Sequence, residues 1–418
     1  MSDAPHLSSA PTLRSPLTLP CGVTLKNRLL KSAMSEILGS SSNSPTPAHA
    51  RLFQRWAEGG IGLALTGNVM VDRRALGEPG NVVVEDDRDL EALRAWARAG
   101  TADGTACWMQ LNHPGKQSPR FLSPQTVAPS EIGFGPALSR AFSVPRALTE
   151  EEILDLIARF GRAAAIARTA GFTGVQIHGA HGYLVSQFLS PRHNQRTDDW
   201  GGSLQNRARF AIELYREIRR RVGSDFPVSI KLNSADFQKG GFSEEDSAWV
   251  IGALAGEGMD LVEVSGGTYE APAMTGARMG ESTAAREGYF LDFVARIRAL
   301  VTVPLAVTGG FRTLAGMRAA LATGATDLVG LARPLAVMPD LPARVLSGQE
   351  PGIDLRRLST GLPGVDALAA FDVTWYENQI HRLGAGLDPL PGMGAWRSLL
   401  TTAWRTGGQA FRLRRAKG

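Results

Sequence analysis

The sequence predicts an α/β protein that folds as a (β/α)8 TIM barrel, with an N-terminal β-hairpin and a C-terminal helical extension. Two observations lead to this fold class. Short apolar runs, many of them β-branched, alternate along the chain with longer stretches of helical periodicity. Strands that alternate with helices form a parallel sheet, and eight such units in one domain favour closure into a barrel. A doubly wound open sheet is the alternative architecture.

The predicted elements follow one another in a regular order. Two of the helices have clear start signals, because Thr149 and Ser243 each precede three acidic residues, as N-caps do. The predicted strands are Arg28–Met34, Ile61–Val71, Thr105–Leu111, Gly174–His178, Pro227–Leu232, Asp260–Val264, Pro304–Thr308 and Asp327–Leu331. The predicted helices are Ala50–Glu58, Asp89–Ala102, Glu150–Ala170, Leu204–Val222, Ser243–Glu257, Gly288–Leu300 and Thr313–Ala322.

Three segments fall outside this repeat. Residues 13–27 are expected to form a short hairpin that covers the bottom of the barrel. Residues 112–148, rich in Pro, Gly and Ser, form a long loop after the third strand, where barrels build active sites. Residues 1–347 would be the barrel domain, and 348–418 an extension that packs on the barrel or on a neighbouring subunit. Within it, Trp396–Leu413 has the pattern of a basic amphipathic helix, with its apolar face packed and its arginines in solvent.

Composition and charge exclude several classes of protein. Of the 418 residues, 43% are apolar and 20% are charged, which excludes a disordered chain. The net charge of +5 belongs to the tail, because residues 389–418 contribute +6 and leave −1 for the rest. We therefore expect no nucleic-acid partner and no membrane contact, with a membrane-binding tail as the alternative. No run of ~20 apolar residues, as a membrane helix requires, is present.

The small number of cysteines limits the redox centres that the chain can hold and bears on its cellular location. Cys21 and Cys107 are too few for an iron–sulfur cluster, which needs four ligands, or for a disulfide scaffold. The N-terminal residues show neither the basic nor the apolar region of a secretory signal. A cytoplasmic location is therefore predicted.

The candidate catalytic residues lie at and just past the end of the fourth predicted strand. His178, His181 and Tyr183 place two imidazoles and a phenol at the end of a barrel where active sites are found. Imidazoles can bind a carbonyl or an oxyanion, and a phenol can deliver a proton. A metal site and purely structural hydrogen bonds are the alternatives. We expect no metal, because no Asp, Glu or Cys stands close enough in sequence to complete the ligands.

A phosphate site is predicted after strands seven and eight, where barrels commonly bind phosphate. Gly309 and Gly310 would let backbone N–H groups approach the phosphate, and Arg333 would supply a charge-assisted hydrogen bond. Pro334 suits the first position of a short helix.

The stretch VQIHGAHGYLVSQFLSPRHNQRTDDWGGSLQNRARF, residues 175–210, closely resembles the Old Yellow Enzyme family of FMN-dependent ene-reductases, the NADH:flavin oxidoreductases. The resemblance runs from about Leu13 to Ala343. Position 181 is His, where other members have Asn, and in this respect the sequence resembles the bacterial members of the family. The resemblance implies that FMN binds at the C-terminal mouth of the barrel and that NADPH or NADH is the electron donor.

The resemblance also implies roles for particular residues. Ser35 stands where the family usually has Thr or Cys, so redox tuning by a thiol would be absent. Lys231 would place a cation beside flavin N1 and O2, where negative charge collects on reduction. His113 and Lys116 would face substrate or nicotinamide, or else be solvated loop residues. The implied cofactor-binding residues are Ala33, Met34, Ser35, Gly67, Asn68, Gln110, His178, Lys231, Gly309, Gly310, Ala332 and Arg333.

The function implied by the resemblance is reduction of the activated C=C bond of an α,β-unsaturated carbonyl or nitro compound, by ping-pong hydride transfer from NAD(P)H. His178 and His181 would bind the substrate oxygen, and Tyr183 would protonate the substrate carbon. Two alternatives stay open: an oxidative dehydrogenase or demethylase on the same barrel, and a non-catalytic flavin-binding protein. A homo-oligomer, either dimer or tetramer, is expected because such states are common in these relatives.

Overall fold

A computed structural model describes residues 11–136, 138–268, 270–271, 287–353 and 358–416, and at 367–368, 406 and 408–416 it describes the backbone alone. Its central sheet is a closed parallel barrel. Each barrel strand pairs with the next, and the eighth pairs with the first through Val329 and Leu29. The predicted (β/α)8 fold is therefore confirmed. The barrel strands are Leu29–Lys31, Leu63–Met70, Ala106–Asn112, Gly174–Gly179, Val228–Asn233, Leu261–Ser265, Leu305–Thr308 and Leu328–Leu331.

The seven predicted helices are present within a few residues of their expected bounds. Both predicted N-caps form, because Thr149 Oγ1 accepts from the backbone N–H of Glu152 at 3.3 Å, and Ser243 Oγ accepts from Asp246 at 3.1 Å. The helices are Pro47–Glu58, Leu90–Gly100, Glu150–Ala170, Leu204–Val222, Glu244–Gly256, Leu291–Arg298 and Leu314–Ala322.

Several short elements lie outside the regular alternation of strands and helices. A helix over Leu184–Leu189 follows the fourth strand, and helices over Arg333–Val337 and Leu341–Leu346 follow the eighth. Pro334 therefore takes the second helical position, one later than predicted. The other short elements are single 3₁₀ turns or two-residue strands, and they lie in the connections between the main strands and helices: Ala102–Gly104, Gly115–Gln117, Val82–Val83, Val127–Ala128 and Arg146–Ala147.

The predicted hairpin closes the opposite end of the barrel. Leu17–Thr18 pairs antiparallel with Thr24–Leu25. Its leucines pack against the lower ends of the barrel strands, in a buried cluster that includes Leu30 and Trp108. The backbone N–H of Cys21 donates to Asp260 Oδ1 at 3.0 Å, which fixes the hairpin to the start of the sixth strand. The hairpin therefore covers the end of the barrel opposite the C-terminal mouth.

The described part of the extension contains three helices, Pro363–Ala369, Phe371–Gly384 and Ala395–Ala416. We call the second the lining helix and the third the C-terminal helix. Trp375, Tyr376 and Ile380 of the lining helix belong to the same buried apolar cluster as the barrel. The division at residue 347 stays a prediction, but the lining helix shares the core of the barrel.

The C-terminal helix differs from its predicted packing. Trp396, Leu400 and Trp404 are 51%, 67% and 84% exposed, whereas Ser398 on another face is buried. The arginines were expected in solvent, yet the side chain of Arg405 is only 9% exposed, because it pairs with Glu377 at 3.1 Å. The prediction was therefore wrong for Arg405. The side chains of Phe411 and Arg412 lie outside the described residues. No described helix is both long enough and apolar enough to cross a membrane.

Candidate active site

One cavity of about 510 Å³ opens at the C-terminal ends of the barrel strands. Its volume lies within the range of cofactor and small-molecule sites. All of the predicted catalytic and cofactor-binding residues line it: Ala33, Met34, Ser35, Gly67, Asn68, Gln110, His178, His181, Tyr183, Lys231, Gly309, Gly310, Ala332 and Arg333. The first barrel strand ends at Lys31, earlier than predicted, so Ala33–Ser35 leave the sheet and border the cavity.

The floor of the cavity is a buried polar network around Lys231. Lys231 Nζ lies 3.1 Å from Glu263 Oε1 and donates to Ser32 Oγ at 2.8 Å. Glu263 also accepts from Thr308 Oγ1 at 2.7 Å. Burial raises the pKa of Glu263, but Lys231 and the hydroxyl donors outweigh it and hold that pKa below its ordinary value. The network therefore fixes one cation under the cavity.

The sequence analysis missed Glu263. Its signal was a single carboxylate in the middle of the apolar sixth strand, where a charge is costly unless it is paired. The same network continues through Gln176, which donates to Glu263 Oε2 at 3.0 Å and accepts from Gln110 Nε2 at 2.8 Å. Gln110, a predicted flavin contact, is thereby held in a defined orientation.

The three predicted catalytic side chains meet at one side of the cavity. The ring of His178 lies 5.2 Å from that of His181 and 4.8 Å from that of Tyr183, between centroids. Burial, followed by the positive charge of Lys231, lowers the pKa of both histidines well below the ordinary value, so both rings are neutral at pH 7. His178 Nδ1 accepts from the backbone of Ala180 at 3.4 Å. Its proton is therefore on Nε2, which is a donor.

The turn that carries these residues is held from several sides. His181 has a left-handed backbone, φ 62°, which a residue with a Cβ adopts only when its surroundings enforce it. Its N–H donates to Asn233 Oδ1 at 3.1 Å, and its carbonyl accepts from Gln117 Nε2 at 3.1 Å. Its ring nitrogen Nε2 lies 2.9 Å from Ser265 Oγ. The imidazole is therefore preorganised at the cavity.

The segments after the first two barrel strands are locked together. Glu36 Oε1 accepts from the N–H of Gly67 at 2.7 Å and lies 3.7 Å from Lys31 Nζ. A Cβ at Gly67 would overlap the Glu36 carboxylate and the Met34 carbonyl. Lys31 is fully buried, and burial lowers its pKa to about 8. Neither Lys31 nor Glu36 was singled out from the sequence, although each is a charge beside an apolar strand.

The predicted phosphate end is bordered by the extension. Gly309 and Gly310 have φ of 126° and 85°, which favour glycine. Arg333 lies with its Cζ 5.7 Å from the ring centroid of Tyr376 and its Nη1 4.0 Å from Asp372 Oδ1. Six residues of the extension line the cavity, and sequence reasoning assigned none of them: Ala370, Asp372, Val373, Tyr376, Glu377 and Ile380.

His113 and Lys116 are placed differently from either expectation. Both are 2% exposed and neither lines the cavity as described. His113 Nδ1 accepts from the N–H of Gly115 at 3.1 Å, and burial lowers its pKa to about 4. Lys116 Nζ lies 3.2 Å from His193 Nδ1, 3.7 Å from Glu270 Oε2 and 4.3 Å from the Phe134 ring centroid. They stabilise the loop, so both expectations were wrong.

The family model of the NADH:flavin oxidoreductase / NADH oxidase family matches residues 12–351. The chain belongs to that family. The resemblance to the Old Yellow Enzyme family that the motif indicated is thereby confirmed, and FMN and NAD(P)H are the cofactors of this oxidoreductase. The residues present fit a flavin, because a paired cation, an oriented amide and a glycine turn face one cavity of suitable size.

Several relatives are similar over most of the chain. A NADH-dependent flavin oxidoreductase of Hypocrea jecorina is 39% identical over 80% of this chain and 89% of its own. Another, from Talaromyces variabilis, is 37% identical over 89% of this chain and 98% of its own, which includes part of the extension. A relative from Neonectria sp. is 40% identical, but the chain spans only 46% of its length.

Solved structures show the same barrel. A 2-naphthoyl-CoA reductase complex superposes with a TM-score of 0.75 at 26% identity, over 81% of this chain and 52% of that one. Morphinone reductase superposes with a TM-score of 0.70 at 25% identity, over 84% of this chain and 93% of that one.

Proposed function

We propose that this oxidoreductase uses NAD(P)H to reduce the activated C=C bond of α,β-unsaturated carbonyl or nitro compounds. The observation that carries the proposal is the placement of His178, His181 and Tyr183 beside one another in the cavity above Lys231. Two neutral imidazoles and a phenol give that site donors for a substrate oxygen and a proton for a substrate carbon.

Each side chain has a defined task in this proposal. Nε2–H of His178 donates to the carbonyl or nitro oxygen, and His181, held by Ser265, supports the same oxygen. Donors fixed in advance stabilise negative charge as it develops there, without reorganising. FMN, when bound, supplies the hydride. Tyr183, whose hydroxyl lies 3.4 Å from Asn68 Nδ2, delivers the proton to Cα.

The decisive experiment is an anaerobic titration of the oxidised-flavin absorbance band with NADPH, or NADH, followed by cyclohexenone. We expect the band to bleach with the nicotinamide and to return with the enone. A band that bleaches but does not return would remove the ene-reductase proposal and favour another acceptor, such as an oxidative use of the barrel. No flavin band after reconstitution with FMN would contradict the cofactor assignment.

The role of Tyr183 is tested by Tyr183→Phe. This variant should retain flavin reduction by NADPH and lose at least about tenfold in enone turnover, because general acids typically contribute 10²–10⁴-fold. Tyr215→Phe is the matched control, since Tyr215 is equally buried but lies on the helix Leu204–Val222 beside Arg219. Unchanged enone turnover in Tyr183→Phe would remove its catalytic role.

The cytoplasmic location and a homo-oligomeric state stay predictions. Light scattering coupled to size exclusion measures the second directly, and a monomer would contradict it.

A further inference from the structure

The cavity has a second polar wall that the proposed reaction does not use. Glu78, in the connection after the second barrel strand, and Glu377, in the lining helix, both line it. Glu377 is 7% exposed, and its carboxylate pairs with Arg405 of the C-terminal helix at 3.1 Å. Three parts of the chain that are distant in sequence therefore meet at this wall.

The two polar walls lie at opposite ends of one chain of side-chain contacts. From the ring of His178 the chain passes to Tyr183, then from its hydroxyl to Asn68 Nδ2 at 3.4 Å, and from Asn68 Nδ2 to Ser35 Oγ at 3.3 Å. The Ser35 hydroxyl faces Glu78. Along the cavity, Tyr183, Asn68 and Ser35 therefore connect the histidines to the two carboxyl groups.

This second wall has two carboxyl groups and one arginine. Arg405 supplies one positive charge to two carboxyl groups, and its Nη1 is used by Asn378 Oδ1 at 2.8 Å. Among the described residues, the buried Oε2 of Glu78 has no hydrogen-bond partner. Burial and then the charge of Glu78 raise the pKa of Glu377 to about 8, and burial raises the pKa of Glu78. With these raised pKa values, one of the two carboxyl groups holds a proton at neutral pH, and a ligand cation beside Glu78 Oε2 would replace that proton.

We propose that Glu78 and Glu377 are specificity-determining residues that select activated alkenes carrying a protonated amine at the end remote from the carbonyl or nitro group. An ammonium placed there donates to the unpaired oxygen of Glu78 and takes the place of the proton that one carboxyl group otherwise holds, which passes to solvent. Such a pair is strong in a site of low dielectric constant. This substrate class rests on the proposed function, because it assumes that the histidines bind the alkene's activating group.

The test compares two isosteric substrates. One is a cyclohexenone that carries a dimethylaminomethyl group, protonated at neutral pH, and the other carries an isobutyl group in its place. For the holoenzyme we expect kcat/KM to be at least about tenfold higher for the cationic enone, a ratio equivalent to roughly 1.4 kcal/mol. The Kd values of the two enones are also compared, from the change in absorbance of the oxidised flavin on binding. This ratio of Kd values is obtained whether or not the enzyme turns the enones over.

Glu78→Gln and Glu377→Gln each remove one ionisable carboxyl group and keep the shape of the side chain. Each should lower kcat/KM for the cationic enone and so bring the ratio of the two kcat/KM values close to one, because the ion pair that favours that enone is lost. Glu91→Gln is the control, since the side chain of Glu91 is 82% exposed and lies outside the cavity. It should leave the ratio unchanged.

The outcomes separate this inference from the proposed reaction. A ratio near one in the unmodified enzyme, with the isobutyl enone turned over, would overturn the inference and leave the reaction standing. A tenfold ratio in Kd without turnover of either enone would overturn the reaction and support the carboxyl wall. A preference for the cationic enone that persists in both Gln variants would overturn the assignment to these residues. If a variant fails to fold, the ratio measured with the unmodified enzyme decides the case.

Discussion

At the scale of single residues, the cavity depends on charges buried in pairs. Lys231 and Glu263 are 3% and 0% exposed, and each is the main compensation for the other's lost hydration. A buried pair of this kind contributes little net stability, but an unpaired member is costly. The position of the cation is therefore tied to the integrity of the barrel.

This coupling gives a stability prediction. Lys231→Met leaves Glu263 without its cation and should lower the free energy of unfolding by about 3–5 kcal/mol. The double variant Lys231→Met/Glu263→Gln should recover part of that loss, because no buried charge remains. Urea denaturation of the apoprotein measures Lys231→Met, Glu263→Gln and the double variant. Arg94→Met, which breaks an exposed pair with Glu91, is the control and should change stability by at most about 1 kcal/mol. Additive effects at Lys231 and Glu263 would contradict the pairing.

Residue identity at the site was predictable wherever a motif reported it. His178 and Gln110 lie at the C-terminal ends of strands that the apolar pattern already delimits, and Tyr183 follows one of them, so their meeting at one mouth was expected. Glu263 and Glu36 were not expected, because Lys231 and the N–H of Gly67, which are their partners, come from other strands.

At the scale of elements, the connections after the strands shape the cavity. The segment after the first strand contacts the end of the second so closely that Gly67 has no room for a side chain. In contrast, Gly252 lies in the helix Glu244–Gly256, and a Cβ there meets no other atom. The two glycines therefore differ in what an added methyl group does.

Gly67→Ala should weaken FMN binding by at least about tenfold, or roughly 1.4 kcal/mol, because backbone and carboxylate atoms beside the cavity must shift. Titration of the apoprotein with FMN, followed by tryptophan fluorescence, measures the Kd. Gly252→Ala, the matched control, should leave that Kd unchanged and raise the free energy of unfolding by about 0.5–1 kcal/mol. Equal FMN affinity in both variants would show that the segment is free to move.

At the scale of the whole molecule, burial of histidines governs the response to acid. His49 is 1% exposed, with its ring 4.5 Å from that of Trp96. Burial lowers its pKa from 6.5 to about 4. Burial likewise lowers the pKa values of His113, His193 and His381. These groups are neutral in the folded chain and become charged when it unfolds in acid.

The sign of the effect follows from linkage. Between pH 6.5 and 4 the unfolded chain binds protons that the folded chain does not, so stability is lost as the pH falls through that window. His49 alone accounts for about 3 kcal/mol of this loss, at 1.36 kcal/mol per pKa unit. Urea denaturation at several pH values should show a smaller acid slope in His49→Gln, with no difference in slope above pH 7. An identical acid slope would contradict a buried, neutral His49.

The amino-acid sequence by itself determined the barrel, the hairpin beneath it and the catalytic mouth. The spacing of apolar residues and the helix caps are local properties of the sequence. When parallel strands close into a barrel, their C-terminal residues all lie at one end of it. Tertiary structure alone decided that the lining helix completes the cavity and that Arg405 is buried. It also decided that Glu78 and Glu377 face one ligand space. Those contacts join segments far apart in the chain, and they form only when docking supplies partners for the buried charges.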